Sequence, residues 1–215
     1  MPSPHLSAPR LMVVVGSVFA LAPSALPAAG SPSFDLVFPQ DAVATTFTSS
    51  FGAARSGGRS HHGNDLMAPK MSPVYAAADG VVTIIDEGPR SGRWIAIDHG
   101  DGWETWYMHL NNDTSGTDDA AADWTSTVAP GVFEGAEVEA GRLIAWVGDS
   151  GNAEPSSPHT HFELHHAGAA VDPYPYLADA YVTSLREVTS RVVPAISTFI
   201  REVGSTPRRP AHALE

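Results

Sequence analysis

The chain has 215 residues, 43% of them hydrophobic, and a formal net charge of −12. That length buries one sizeable core, and the acid excess leaves no basic stripe to neutralise phosphates, which argues against nucleic-acid binding. Cysteine is absent, so disulfides and thiolate-bound zinc are excluded and any metal must rest on His, Asp or Glu.

Residues 1–30 read as a secretory signal segment. Arg10 precedes an apolar run from Leu11 to Ala22, followed by small residues and prolines. The run is too short to span a bilayer comfortably but suits a signal h-region, with an uncleaved N-terminal anchor as the alternative. The expected location is therefore secreted or cell-envelope, with no stable membrane insertion after signal removal.

From residue 31 to 177 the composition is uniform and globular. Phe47 and Phe51 lead into a Gly/Arg/Ser loop, Gly52 to Ser60. Strand-like runs recur at Val74–Ala77, Gly80–Asp86, Trp94–Asp98, Trp103–His109, Arg142–Val147 and Thr160–His165. Turn signals such as Asp79-Gly80, Gly88-Pro89 and Asp149-Ser150-Gly151-Asn152 separate them. The expected fold class is mainly β, an antiparallel sheet or sandwich with a central groove. Asn111 to Asp123 breaks the pattern as a long acidic loop, read as a solvated surface loop rather than a second metal site. Beyond Pro173 and Pro175, Tyr181, Leu185, Val188, Val192, Phe199 and Val203 recur at helical steps. Residues 178–204 are thus predicted as an amphipathic helical extension, in one piece or two about Pro194. Residues 205–215 read as a disordered tail.

Two short stretches carry chemistry. In Ser157-Pro158-His159-Thr160-His161-Phe162-Glu163-Leu164, strand alternation places His159 and His161 on one face and Phe162 and Leu164 on the other. Upstream stands His61-His62-Gly63-Asn64-Asp65, where Gly63 and the preceding loop disfavour a helix. His61, Asp65 and His161 together offer two nitrogens and one carboxylate oxygen. Such a set leaves the fourth position of a tetrahedral zinc open for water, as a catalytic site requires. Zinc lowers the pKa of that water to about 7, which produces a nucleophile at neutral pH. His109, ending the strand Trp103–His109, and His159 add two imidazoles free to move a proton or stabilise an oxyanion. His62 reads as exposed or supporting, His99 as structural, and His165 as a solvated strand end. Glu163 shares the His161 face and can orient that ring.

The segments Phe51-Gly52, His61-x-Gly63-x-Asp65, Ala77-Ala78-Asp79-Gly80, Tyr107-Met108-His109-Leu110, Val147-Gly148-Asp149-Ser150-Gly151 and Pro158-His159-x-His161-Phe162-Glu163 stand in a telling order. It resembles that of the M23 family, the lysostaphin/LytM group of zinc peptidoglycan endopeptidases, over about residues 47 to 177. The resemblance implies that residues 31–177 form a metallopeptidase domain acting on the peptides of peptidoglycan. It implies one zinc ion on His61, Asp65 and His161, and catalytic roles for His109 and His159 whose division stays open. Thr160 departs from the family's usual apolar residue. The alternative from another class is a non-catalytic wall-binding regulator of a second hydrolase, although such proteins typically lose ligands. A lipoyl-type carrier is excluded because Lys70, the single lysine, is not at a hairpin tip.

Overall fold

The computed structural model describes residue 32 and residues 35–205. The signal segment expected at 1–30 lies outside these residues, as does the tail from 206 onward. The chain in order forms β1 (Ala54–Arg55), β2 (Arg59–Ser60), β3 (Asn64–Met67), β4 (Pro73–Tyr75), β5 (Gly80–Gly88) and β6 (Gly92–Gly100). There follow β7 (Trp103–Leu110), β8 (Glu137–Val138), β9 (Leu143–Trp146), β10 (His159–His166), β11 (Ala169–Val171) and α1 (Tyr174–Ser205). The protein is mainly β and antiparallel, as the sequence implies.

A seven-stranded sheet in the order β11-β10-β7-β6-β5-β8 is the frame, with β3 also paired to β10. One edge of β10 is shared: β3 covers His159 to Phe162, and β11 covers Leu164 to His166. The sheet's two faces follow from alternation. Phe162 and Leu164 on β10, Tyr107 on β7, and Ile95 and Ile97 on β6 are fully buried. They join Val82, Val138, Leu66, Val74 and Ile144 in one hydrophobic core, where Tyr107 and Phe162 meet edge to face at 5.4 Å. The opposite face of β10 carries His159, His161, Glu163 and His165. β4 and β9 pair separately.

Thr160 belongs to the core side, and its departure from the usual residue has a local partner. Gln40 Nε2 donates to Thr160 Oγ1 at 2.9 Å, while Thr45 donates to Gln40 Oε1 at 3.2 Å. The hydroxyl is thus satisfied where an apolar group would need none.

The acidic loop is exposed from Thr114 to Ala121, as expected of a solvated surface loop, but its ends are anchored. Asn111, Asn112 and Asp113 are buried, and the loop is tied down at both ends. Lys70 Nζ donates to Asp113 and Asp118 at 2.6 Å and pairs with Asp149 at 2.9 Å. Burial disfavours the ammonium, but the three carboxylates outweigh it and hold its pKa above the ordinary lysine range. Farther along, the Arg93 guanidinium donates to the carbonyls of Ala122 and Asp123 and to Thr127 Oγ1. An isolated cation at position 70 and a buried arginine give no periodic signal, so the anchoring of the loop's ends was not visible in composition.

The C-terminal element is one helix of 32 residues that passes through Pro194. Its first turns dock: Leu177 and Ala180 are buried, and Tyr181 stacks edge-on against Phe38 and Phe47 at 5.1 and 5.3 Å. Farther on, Val188, Val192, Val193 and Ile196 are exposed. Glu187 and Arg191 meet at 4.0 Å on the exposed face, a pair worth little in water. No helix among the described residues is long and apolar enough to cross a membrane.

Replacing Lys70 with Met strands the buried Asp113 and Asp149 carboxylates and is predicted to cost about 3 kcal/mol of stability. Denaturant midpoints measure this, and an unchanged midpoint would show that the ammonium does not hold the loop.

Candidate metal and catalytic site

The site begins with strand register. Asp65 on β3 pairs directly across from His161 on β10, and cross-strand partners share a face. Gly63 makes that pairing possible, because a Cβ there would collide with the Phe162 carbonyl. The sequence disfavours a helix between His61 and Asp65, and none forms there. The chain is irregular only up to Gly63, and Asp65 lies in β3. His61 is held just before it by backbone bonds, its N–H to Ala53 O and its carbonyl to Gly52 N, both at 2.8 Å.

Three ligand atoms converge. His61 Nε2 lies 2.9 Å from His161 Nδ1 and 3.1 Å from Asp65 Oδ1, and His161 Nδ1 lies 2.9 Å from Asp65 Oδ1. Ligands at about 2.0–2.1 Å on tetrahedral corners are roughly 3.3 Å apart, so small outward shifts of these atoms admit a zinc-sized ion. The tautomers agree. His61 Nδ1 faces the Ser50 carbonyl at 2.9 Å and must carry the proton there. His161 Nε2 faces Glu163 Oε1 at 2.8 Å and must carry its proton there. Both remaining nitrogens then present lone pairs to each other and to a carboxylate oxygen, an arrangement that calls for a cation at its centre. A proton on His161 Nδ1 can also take that central place: burial disfavours a charged His161, yet hydrogen bonds to Asp65 and Glu163 outweigh it and raise its pKa. Likewise burial pushes the Asp65 carboxyl up, but bonds to His161 and His61 dominate and hold it well below the carboxylate range. The outer oxygen, Asp65 Oδ2, is taken by Arg55 Nη2 at 2.7 Å, which leaves the inner one for a metal.

His109 reaches the same place by a different route. Alternation along β7 sets it on the core side with Thr105 and Tyr107, yet its backbone φ is 60°, beside a register shift between β6 and β7. The left-handed turn brings its ring to 5.0 Å from His159 and 6.0 Å from His161. For a non-glycine residue this conformation costs about 1–2 kcal/mol, a strain of the kind found at functional positions. The ring is fixed by Nδ1, which donates to the Ser150 carbonyl at 2.9 Å. Ser150 is itself locked: Oγ donates to Leu110 O at 2.6 Å and accepts from Arg93 N at 2.9 Å. A Cβ on Gly92 would strike Ser150, so the glycine allows this close approach. His109 Nε2 is left as an acceptor. Burial first, then the neighbouring His159, lowers the His109 pKa to about 4. His159 is fixed in the same way, Nδ1 donating to Ser157 O at 2.8 Å, with Nε2 3.9 Å from Asp65 Oδ1.

All five sequence-predicted residues therefore gather in one groove of about 790 Å³. His62 is exposed on its wall, and His99 bonds Asp79 O and Thr105 Oγ1 away from the groove. His165 is a correction. It is buried at 7% exposure, bonded to Glu163 Oε2 at 2.6 Å and stacked on Trp106 at 4.1 Å. Glu163 thus bridges two imidazoles; burial raises its pKa, but bonds from His161 and His165 outweigh it and bring it down to about 2. Arg55 and the carbonyls of Ser50 and Ser150 had no sequence signal beyond lying near the motifs.

Residues 59–173 match the profile of Peptidase family M23. The chain belongs to that family. Its M23 domain has the fold of the lysostaphin catalytic domain from Staphylococcus simulans, with 26% identity, a TM-score of 0.50, and coverage of 62% of this chain and 92% of that one. A zinc-containing peptidase from Vibrio cholerae gives a TM-score of 0.52 at 27% identity, covering 64% of this chain and 39% of that one. In sequence, the chain is 31% identical over 104 residues to the peptidoglycan DD-endopeptidase ShyA of Vibrio cholerae, 48% of this chain and 20% of that protein. It is 33% identical over 117 residues to the DD-carboxypeptidase/endopeptidase Mpg of Neisseria meningitidis, 54% of this chain and 22% of that protein. The chain matches only about a fifth of the length of these curated relatives.

If Glu163 fixes the His161 tautomer, Glu163→Gln should weaken zinc binding by about 10–100-fold, the usual cost of losing such a partner. Competition titration with a chromophoric chelator measures it. Equal affinity in both proteins would remove Glu163 from the site.

Proposed function

We propose that the chain is a secreted or cell-envelope zinc endopeptidase that hydrolyses peptide bonds in bacterial peptidoglycan. The observation that carries this reading is the convergence of His61 Nε2, His161 Nδ1 and Asp65 Oδ1 in an open groove, with His109 and His159 beside them. Similarity to ShyA and Mpg supports the choice of substrate.

In this reading His61, Asp65 and His161 hold one zinc ion, which when bound supplies Lewis acidity and lowers the pKa of a coordinated water to about 7. His109 takes the proton of the attacking water. Its depressed pKa keeps it neutral near pH 7, and its Nδ1 bond to Ser150 points Nε2 to the reaction. His159, its ring held through Nδ1 by Ser157 O, stabilises the oxyanion of the tetrahedral intermediate. Arg55 restrains the metal-binding carboxylate through Oδ2, so Asp65 offers one oxygen rather than two.

The test is digestion of purified peptidoglycan, with mass spectrometry of the products. New peptide ends that disappear with a chelator, return with zinc, and are absent for His161→Ala are expected. Binding to the wall without cleavage at full zinc loading would replace this reading with the regulator. His109→Ala is expected to lower kcat about 10²–10⁴-fold, the range for a lost general base, while zinc content stays at that of the parent. The pH profile has a defined sign. A base works only when unprotonated, so with zinc in excess the acid limb of kcat/KM should fall near pH 4 rather than near 6.5. A limb at the ordinary histidine value would take the acceptor role away from His109.

A further inference from the structure

The chain carries a net charge of −12, yet its groove is lined by three arginines, Arg55, Arg59 and Arg90. The acids that share the groove are already engaged. Asp65 Oδ2 is on Arg55, and Oδ1 faces the two ligand imidazoles. Both oxygens of Glu163 are on His161 and His165. Among the described residues Arg59 reaches no carboxylate: its Nε and Nη2 touch only Ser56 O and Oγ, at 3.1 and 3.4 Å. Among the described residues, the Arg90 guanidinium has no hydrogen-bond or ion-pair partner. Lys70 and Arg93, by contrast, are spent on internal acids and carbonyls.

Placement gives these free cations a direction. In the β1–β2 hairpin Arg55 pairs directly across from Arg59, so both side chains share a face. Like charges placed opposite each other destabilise a strand pair, and nothing among the described residues offsets the second charge. This hairpin leads straight into His61. Arg90 comes from the β5–β6 turn, next to Ser91, whose carbonyl accepts the His109 N–H at 2.8 Å. One uncompensated guanidinium therefore stands on the His61 side of the imidazole cluster and the other on the His109 side. A cleft with one sign of charge focuses its field inward, even in a protein of opposite net charge. The planar guanidinium fork suits carboxylates in particular.

We propose that Arg59 and Arg90 select peptides bearing free carboxylates on either side of the cleaved bond, in preference to neutral chains such as oligoglycine. This substrate class rests on the peptidase reading above. It makes the groove a reader of wall chemistry: amidation of the peptide's carboxylates removes the charge that the two arginines recognise.

The experiment uses cross-linked wall peptides in matched pairs, free acid and amidated, with pentaglycine as a neutral reference. The parent should favour the free acid in kcat/KM. Arg59→Gln and Arg90→Gln should each lower the ratio of free-acid to amidated kcat/KM by about fivefold, the upper end for an exposed charge pair. Arg59→Lys should keep much of the ratio. Raising ionic strength from about 0.05 to about 0.5 M should shrink it as well, because screening acts on exposed charges. Calorimetry with metal-stripped protein reads the same preference as binding, without turnover. A ratio unchanged in both Gln variants, or a parent that does not distinguish the paired peptides, overturns the proposal. Selective binding of the free acid with no cleavage of any peptide at full zinc loading would sustain the arginine proposal while the endopeptidase reading fails.

Discussion

Three lone-pair atoms, each within about 3 Å of the others, are the constraint on which the rest of the groove depends. Without a cation or proton between them, two imidazole nitrogens and a carboxylate oxygen so close together repel one another in a half-buried setting. The surrounding structure holds them there regardless. Ser50 and Glu163 take the outer nitrogens of His61 and His161, Arg55 takes the outer oxygen of Asp65, and β3–β10 pairing prevents the strands from relaxing apart. Preorganisation of this kind puts the cost of gathering ligands into folding, so that a cation entering the site meets a finished donor set.

The same logic extends outward through the fold. The β10 strand serves both purposes: one face closes the core with Phe162 and Leu164, while the other presents His159, His161, Glu163 and His165. A one-residue slip of register would exchange those faces, and Gly63 is the residue that lets β3 lie close enough to fix it. On the far side, the strained backbone of His109 is held by Ser150, which is in turn held by Arg93, Leu110 and the space left by Gly92. The Arg93 guanidinium ties down the end of the acidic loop while its backbone N–H donates to Ser150 Oγ, so one residue supports both the groove wall and the His109 imidazole.

Much of this was legible in the amino-acid order. Period-2 alternation separated the histidines of β10 from Phe162 and Leu164, and Gly- and Asp-rich turns marked six strands within a few residues of where they lie. The ligand candidates were visible because His and Asp are rare in apolar-patterned segments. What escaped the sequence has a common physical cause: it depends on long-range pairing or on backbone torsion. Nothing in Tyr107-Met108-His109-Leu110 announces a positive φ at His109, which reverses the face that alternation assigns to it. The short strand Asn64–Met67 has no alternation of its own and exists through β10. His165 looked like a strand end open to water, but β7 pairing brings Trp106, distant along the chain, over its ring. Lys70 and the loop acids were likewise separated along the chain and joined only in the fold.

The measurement closest to the central claim is the zinc K-edge X-ray absorption spectrum of the zinc-loaded protein. The account predicts one tightly held ion with four nitrogen or oxygen neighbours at about 2.0–2.1 Å, two of them showing the multiple-scattering signature of imidazole. Three or four imidazoles would place His109 or His159 on the metal and contradict their separation from the ligand set. A protein that retains no zinc would contradict the ligand assignment itself.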